Sequence, residues 1–312
     1  MTGGKESRPV IWRPQPRQAL FMARPEDEAL YGGAAGGGKS DALVLEALRQ
    51  VHIPCYKGLI LRKTYPQLSE LVEKSLRYYP LVDRGAVYNA TGHVWRFSSG
   101  AKIIFGSLPH PKDKFNYQGQ AFDFIAFDEL TQFSWEEYSY LFSRNRPNGP
   151  GTRCYIRATA NPGGVGHDWV KRRFIDPAPA NTRIEDPLGS RRFIPARVQD
   201  NRFLMEGDPQ YVNRLLRLPE QERKALLDGD WDLCEGRFFA DWEREKHICT
   251  PFEIPDHWRR YCAIDYGLDM LAGLFIAEDE QGFFYVYREV YESGLIVSRA
   301  ASKLKAASPS QC

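Results

Sequence analysis

Along the first half of the chain, short apolar runs alternate with stretches whose hydrophobic residues recur at helical spacing. Residues 28–31 read as a short strand, and residues 39–52 carry Ala42, Leu43, Leu45, Leu48 and Val51 on one helical face. Residues 57–61 form a second strand candidate, followed by a helix over 66–79 whose proline stands near its first position, where no N–H is needed. Residues 94–97 and 101–105, joined by Ser98-Ser99-Gly100, predict a hairpin. The mostly apolar run 122–127 suits a strand buried on both faces, and it ends abruptly in Asp128-Glu129. Ser134 with Glu137 is a capping box that opens a helix to about Asn145. Residues 152–158 are a further strand, leading into Thr159-Ala160-Asn161-Pro162-Gly163-Gly164. Such alternation predicts an α/β fold with a doubly wound parallel sheet. Proline and charge dominate 177–195, as in a linker or lid. Three consecutive strands, 260–265, 272–278 and 283–290, and a helix over 300–307 complete the pattern.

The break between the first strand and the first helix holds Gly33-Ala34-Ala35-Gly36-Gly37-Gly38-Lys39-Ser40, which fits the G-x-x-x-x-G-K-[ST] spacing of a phosphate-cradling P-loop. Glycines let consecutive N–H groups curl around anionic phosphates with no Cβ in the way. The helix that follows presents the positive end of its dipole. Gly33, Gly36, Gly37 and Gly38 would shape the cradle, Lys39 would reach the β- and γ-phosphates of ATP, and Ser40 would ligate Mg²⁺. Asp128, ending a buried strand in the Walker B manner, is expected to hold the same ion, with Glu129 as catalytic base. Thr159 and Asn161 could sense the γ-phosphate, although Asn-Pro-Gly-Gly also reads as an ordinary Asx-type turn.

Bulk composition adds limits. A chain of 312 residues that is 43% hydrophobic can bury a sizeable core and suggests about two domains. A net charge of +2 is too mild to announce a nucleic-acid protein, so DNA contacts would come from local clusters. Arg172-Arg173, Arg191-Arg192 and Arg259-Arg260 are candidates, although paired arginines are more often solvated surface. The six cysteines lack C-x-x-C spacing and the histidines form no H-E-x-x-H pattern, which points to reduced thiols. No apolar run approaches membrane-spanning length and the first eight residues have no signal core, so a soluble, unexported protein is expected.

Gln18, then Leu30-Tyr31-Gly32 running into the P-loop, Leu61-Arg62-Lys63-Thr64-Tyr65-Pro66, Phe127-Asp128-Glu129, Thr159–Gly164 and Ala263-Ile264-Asp265-Tyr266-Gly267 follow one another over most of the chain. In this succession the chain resembles a tailed-phage terminase large subunit. The resemblance implies a P-loop ATPase core over 1–175, a lid or linker subdomain over 176–235 and the start of a ribonuclease-H-like nuclease domain over 236–312. It implies an ATP- and Mg²⁺-dependent motor that packages double-stranded DNA into a procapsid in the cytoplasm of an infected bacterium. Its partners would be a portal protein and a small terminase subunit, with no membrane; it would be a monomer in solution and a homo-oligomeric ring on the procapsid. By the same resemblance Gln18 reads the adenine edge, Arg62 lies near the nucleotide or the DNA track, the Thr159 segment couples hydrolysis to motion, and Asp265 is a metal-binding carboxylate of the nuclease. Two other classes stay open: a P-loop binding module or packaging remnant without turnover, and a helicase-like translocase.

Such motors use an arginine against the charge of the transferring phosphoryl group, in some cases from a neighbouring subunit. Relatives carry it in the P-loop or just before the Walker B strand, positions that are alanine or glycine and about Gln118 here, which leaves Arg144 and Arg146 as the nearest substitutes. Two-metal hydrolysis needs several carboxylates converging on ions roughly 3.5–4 Å apart. No Asp or Glu follows Glu292, and Asp269 in its loop is a poor second ligand. The expectation is a C-terminally truncated nuclease domain without activity.

Overall fold

A computed structural model describes residues 10–232, 244–267 and 270–308. Two compact units divide the chain at about residue 237. The first is built on a nine-stranded sheet, with β1 (Glu28–Gly33), β2 (Lys57–Arg62), β3 (Val87–Asn89), β4 (Val94–Arg96), β5 (Lys102–Ser107), β6 (Phe124–Phe127), β7 (Tyr155–Ala160), β8 (Arg183–Asp186) and β9 (Gly189–Ala196) in the order β3-β4-β5-β2-β6-β7-β1-β9-β8. The six central strands are parallel, and the outer pairings β3–β4, β4–β5 and β8–β9 are antiparallel.

Every residue of β1, β6 and β7 is buried, as central strands covered on both faces require. One face packs α1 (Pro16–Met22), α2 (Lys39–Glu46) and α3 (Tyr65–Val82) through Phe21, Leu43, Val44, Leu68, Leu71 and Tyr79. The other packs α4 (Trp135–Phe142) and α5 (His167–Val170) through Tyr138, Leu141 and Val170. The Ser134–Glu137 capping box forms as expected, with each side chain meeting the other's backbone N–H.

Several boundaries differ from the pattern. The helix expected over 39–52 tightens to a 3₁₀ turn after Glu46, α4 stops at Phe142, and β7 begins three residues late and runs to Ala160. The largest difference is 177–195: this proline- and charge-rich stretch contains the β8–β9 hairpin, and β9 lies directly beside β1. Arg191 of this stretch pairs with Asp186 and Arg192 with Glu26, and Arg173 just before it holds the buried Glu28, so these three are internal partners, whereas Arg172 and Arg183 are exposed.

The second unit contains β10 (Arg259–Tyr266), β11 (Met270–Glu278) and β12 (Phe284–Ser293), an antiparallel meander, followed by the helix Val297–Ala307. Leu304 of that helix lies over Gly273 of β11, where a Cβ would stand 2.7 Å from Leu304 Cδ2 and turn that side chain aside. No helix among the described residues is long and apolar enough to cross a membrane.

Candidate nucleotide site at the carboxyl ends of the parallel strands

Register decides which side chains meet. Leu61, Phe127 and Ala158 stand level across β2, β6 and β7, and Gly32 of β1 stands level with Ala160. The P-loop, Asp128 and Thr159 therefore emerge at one edge of the sheet, where open α/β folds bind ligands. Because β7 lies between β1 and β6, whatever follows it sits between the P-loop and the Walker B acids.

Gly36 and Gly38 adopt φ of 71° and 70°, conformations that cost a side chain-bearing residue strain, and Gly38 caps α2. Lys39 is 7% exposed and donates to Ala34 O at 2.6 Å and to Asn161 Oδ1 at 2.7 Å. Burial pushes its pKa below the ordinary lysine value, against the opposing pull of Glu129 and Asp128. Ser40 Oγ donates to Asp128 Oδ1 at 3.2 Å. Fully buried Asp128 also accepts from Thr159 Oγ1 at 2.5 Å, and Arg62 Nε lies 2.8 Å from its other oxygen.

Glu129 takes a left-handed backbone, φ 58° and ψ 62°, unusual for a residue with a Cβ and a mark of a constrained site. Its N–H donates to Thr159 Oγ1 at 3.1 Å, while its carboxylate accepts from Asn161 N at 3.2 Å and Asn161 Nδ2 at 3.0 Å. Burial raises its pKa above the ordinary glutamate value, and the charge of Asp128 adds to the rise. Asn161 is thus the common partner of Lys39 and Glu129, more than the turn former its Asn-Pro-Gly-Gly context suggests. Past it, Gly163 N donates to His167 Nδ1 at 2.9 Å, and the His167 ring stacks on Trp231 at 5.6 Å.

Gln18 is buried and turned to the loop. Its Nε2 donates to Gly38 O at 2.8 Å and its Oε1 accepts from Gln15 N at 2.8 Å. The segment after β9 also joins: Asn201 Nδ2 donates to Gly36 O at 2.6 Å, and Ala35 N donates to Leu226 O at 2.7 Å. No motif marked Asn201; its only sequence signal is the Asn that caps the short helix α6 (Arg202–Gly207).

Two expected groups stand elsewhere. Arg144 and Arg146 lie at the opposite edge of the sheet, where Arg144 O accepts from Phe122 N and Arg146 N donates to Phe122 O, at the entry to β6. Helix α4 runs back across the sheet and carries its carboxyl end away from Asp128, so neither arginine serves this site within the chain; Arg62 is the arginine that reaches it. Asp265 is an exposed residue of β10 in the second unit, level with Ala272. Asp269 lies outside the described residues, and among those residues no cluster of three or more His, Cys, Asp or Glu could hold a metal.

Several solved structures to which this chain is similar are phage proteins. The large terminase of the thermophilic bacteriophage D6E superposes with a TM-score of 0.57 at 16% identity, covering 95% of this chain and 74% of that one. Its complex with ATP-gamma-S gives 0.54 at 15% identity, over 94% and 73%. A point mutant of the ATPase domain of the Thermus phage P74-26 large terminase gives 0.51 at 16% identity, over 70% and 94%. No curated protein matches the chain in sequence. A family model described as "Terminase large subunit, T4likevirus-type, N-terminal" matches residues 30–245, well over half of the 312 residues, and the chain belongs to that terminase large-subunit family.

Proposed function

We propose that this chain binds Mg·ATP in the cleft between the P-loop and Asp128-Glu129 and hydrolyses it to drive double-stranded DNA into a procapsid. The observation that carries the proposal is the convergence of Lys39, Ser40, Asp128, Glu129, Thr159 and Asn161, from three separate stretches of the chain, within one hydrogen-bonded network. The D6E protein's complexes with ATP-gamma-S and with ADP support nucleotide binding.

Lys39 is placed to leave Asn161 for the terminal phosphates, and the loop amides to surround the chain of phosphates. Ser40 Oγ and the Asp128 carboxylate are hard oxygen donors 3.2 Å apart, a pair that suits Mg²⁺. Bound there, the ion would neutralise charge on the β- and γ-phosphate oxygens. Thr159 fixes the Asp128 carboxylate, Arg62 supplies positive charge beside it, and Glu129 takes the proton of the attacking water. Loss of the γ-phosphate frees Asn161, whose loop leads through His167 to Trp231 and so to the segment expected to act as a lid. A ring of copies at a portal, with a small terminase subunit, in the cytoplasm of an infected bacterium is the setting such a motor requires.

Steady-state ATP hydrolysis with and without double-stranded DNA tests the proposal. Lys39→Ala should abolish turnover, and Glu129→Gln should retain ATP while hydrolysis falls at least a hundredfold. Wild-type protein that binds ATP and never turns it over, assembled or not, would refute the hydrolytic part.

A further inference from the structure

Three consecutive carbonyls of the glycine run are each held by a side chain from a different element. Asn201 Nδ2, ahead of α6, donates to Gly36 O at 2.6 Å. Tyr31 Oη, on β1, donates to Gly37 O at 3.0 Å. Gln18 Nε2, on α1, donates to Gly38 O at 2.8 Å. The first and last are themselves joined, since Gln15 donates from Nε2 to Asn201 Oδ1 at 2.9 Å and from its backbone N to Gln18 Oε1 at 2.8 Å.

The chemistry follows from the planar trans peptide, in which a carbonyl and the next residue's N–H point in opposite directions. Holding the carbonyls of Gly36, Gly37 and Gly38 fixes the N–H groups of Gly37, Gly38 and Lys39 on the other side. A run of three glycines has little conformational restraint of its own, so its peptide planes are free to turn over. A turned plane would present a carbonyl oxygen, the negative end of the peptide dipole, to a phosphate. Gly38 O already accepts from Ala42 N at 3.4 Å as the first bond of α2, so the helix helps to fix that plane. For the planes beginning at Gly36 and Gly37, Asn201 and Tyr31 supply the side-chain anchors.

We propose that Tyr31 and Asn201 are positioning residues for the polyphosphate chain, and that Gln18 braces the same loop in place of reading a base. The proposal rests on the nucleotide-binding function above. Tyr31 is fully buried against Phe21, with rings 5.3 Å apart, so Tyr31→Phe removes the hydroxyl and leaves the packing in place.

The test is competition of ATP, GTP and inorganic tripolyphosphate against a fluorescent ATP analogue, on the full chain, alongside melting temperatures. Tyr31→Phe and Asn201→Ala should each weaken ATP and tripolyphosphate by the same factor, roughly three- to tenfold, as expected for one lost hydrogen bond. The loss should fall on the KM for ATP more than on kcat. Gln18→Ala should weaken ATP, GTP and tripolyphosphate alike. If wild-type protein binds tripolyphosphate and Tyr31→Phe binds it equally well, the proposal fails and the proposed function stands. Weakening of ATP by Gln18→Ala with GTP and tripolyphosphate unchanged would restore base reading and overturn the Gln18 part. Wild-type protein that binds neither ATP nor tripolyphosphate would refute both. Should Asn201→Ala fold poorly, Tyr31→Phe decides alone.

Discussion

Glu129 carries both a strained backbone and a buried carboxylate, held by two N–H groups of one residue, Asn161. A carboxylic acid whose pKa is raised by folding holds its proton more tightly folded than unfolded. Its contribution to stability is therefore most favourable in acid and declines as pH rises from the ordinary glutamate range through the raised value. Glu129→Gln should accordingly raise the melting temperature of nucleotide-free protein at pH 8, with the gain fading on acidification. Equal melting temperatures of the two proteins at every pH would contradict this. The acid limb of ATP hydrolysis should lie above the range of an unperturbed glutamate, because the base must be ionised. At this scale the sequence exposed the residues whose spacing is itself chemical: the glycines, Lys39, Ser40, Asp128 and Glu129. Tyr31 and Asn201 were hidden because their work depends on which carbonyl lies opposite them, and that is a property of the fold.

Elements with a single hydrophobic signature were legible, such as the all-apolar β6 and the long amphipathic α3. The strand β9 was not, since Arg191, Arg192 and Pro195 mimic a linker. Each arginine instead meets a carboxylate or a carbonyl inside the fold, and Pro195 stands near the end of the strand, level with Gly32. Arg173 is the sharpest case. Its guanidinium holds Glu28, whose side chain is 1% exposed, and Tyr138 Oη donates to the same carboxylate at 2.5 Å. Removing one partner strands a buried charge, so Arg173→Ala should cost about 3–5 kcal/mol in urea unfolding. The exposed Arg259→Ala should change stability by no more than about 0.5 kcal/mol. Similar losses for the two would show that the Glu28 pair is not buried in solution.

For the molecule as a whole, the proposed motor should bind duplex DNA through its phosphates, without sequence preference and with affinity that falls steeply as salt rises. Filter binding between 50 and 200 mM salt, where a flat response counts against the motor, checks it. In the second unit Asp265 belongs to no described cluster of metal ligands. Incubation with Mn²⁺ and plasmid DNA should leave the plasmid intact, and cutting that disappears with Asp265→Ala would reverse that view. The order of the two units was readable from the motifs, whereas the nine-stranded width of the first sheet was not, because short edge strands such as β3 carry almost no pattern.

Wedged as it is, β7 shares ladders with β1 on one side and β6 on the other, and neither ladder can slip by a residue without turning buried side chains to the wrong face. The moving part of the proposed motor is therefore not a sliding strand. Under the proposed function, movement that follows hydrolysis begins past the end of β7, in the loop 161–167, whose single hydrogen bonds from Thr131 Oγ1 to Asn161 O and from Gly163 N to His167 Nδ1 can be exchanged without breaking a ladder.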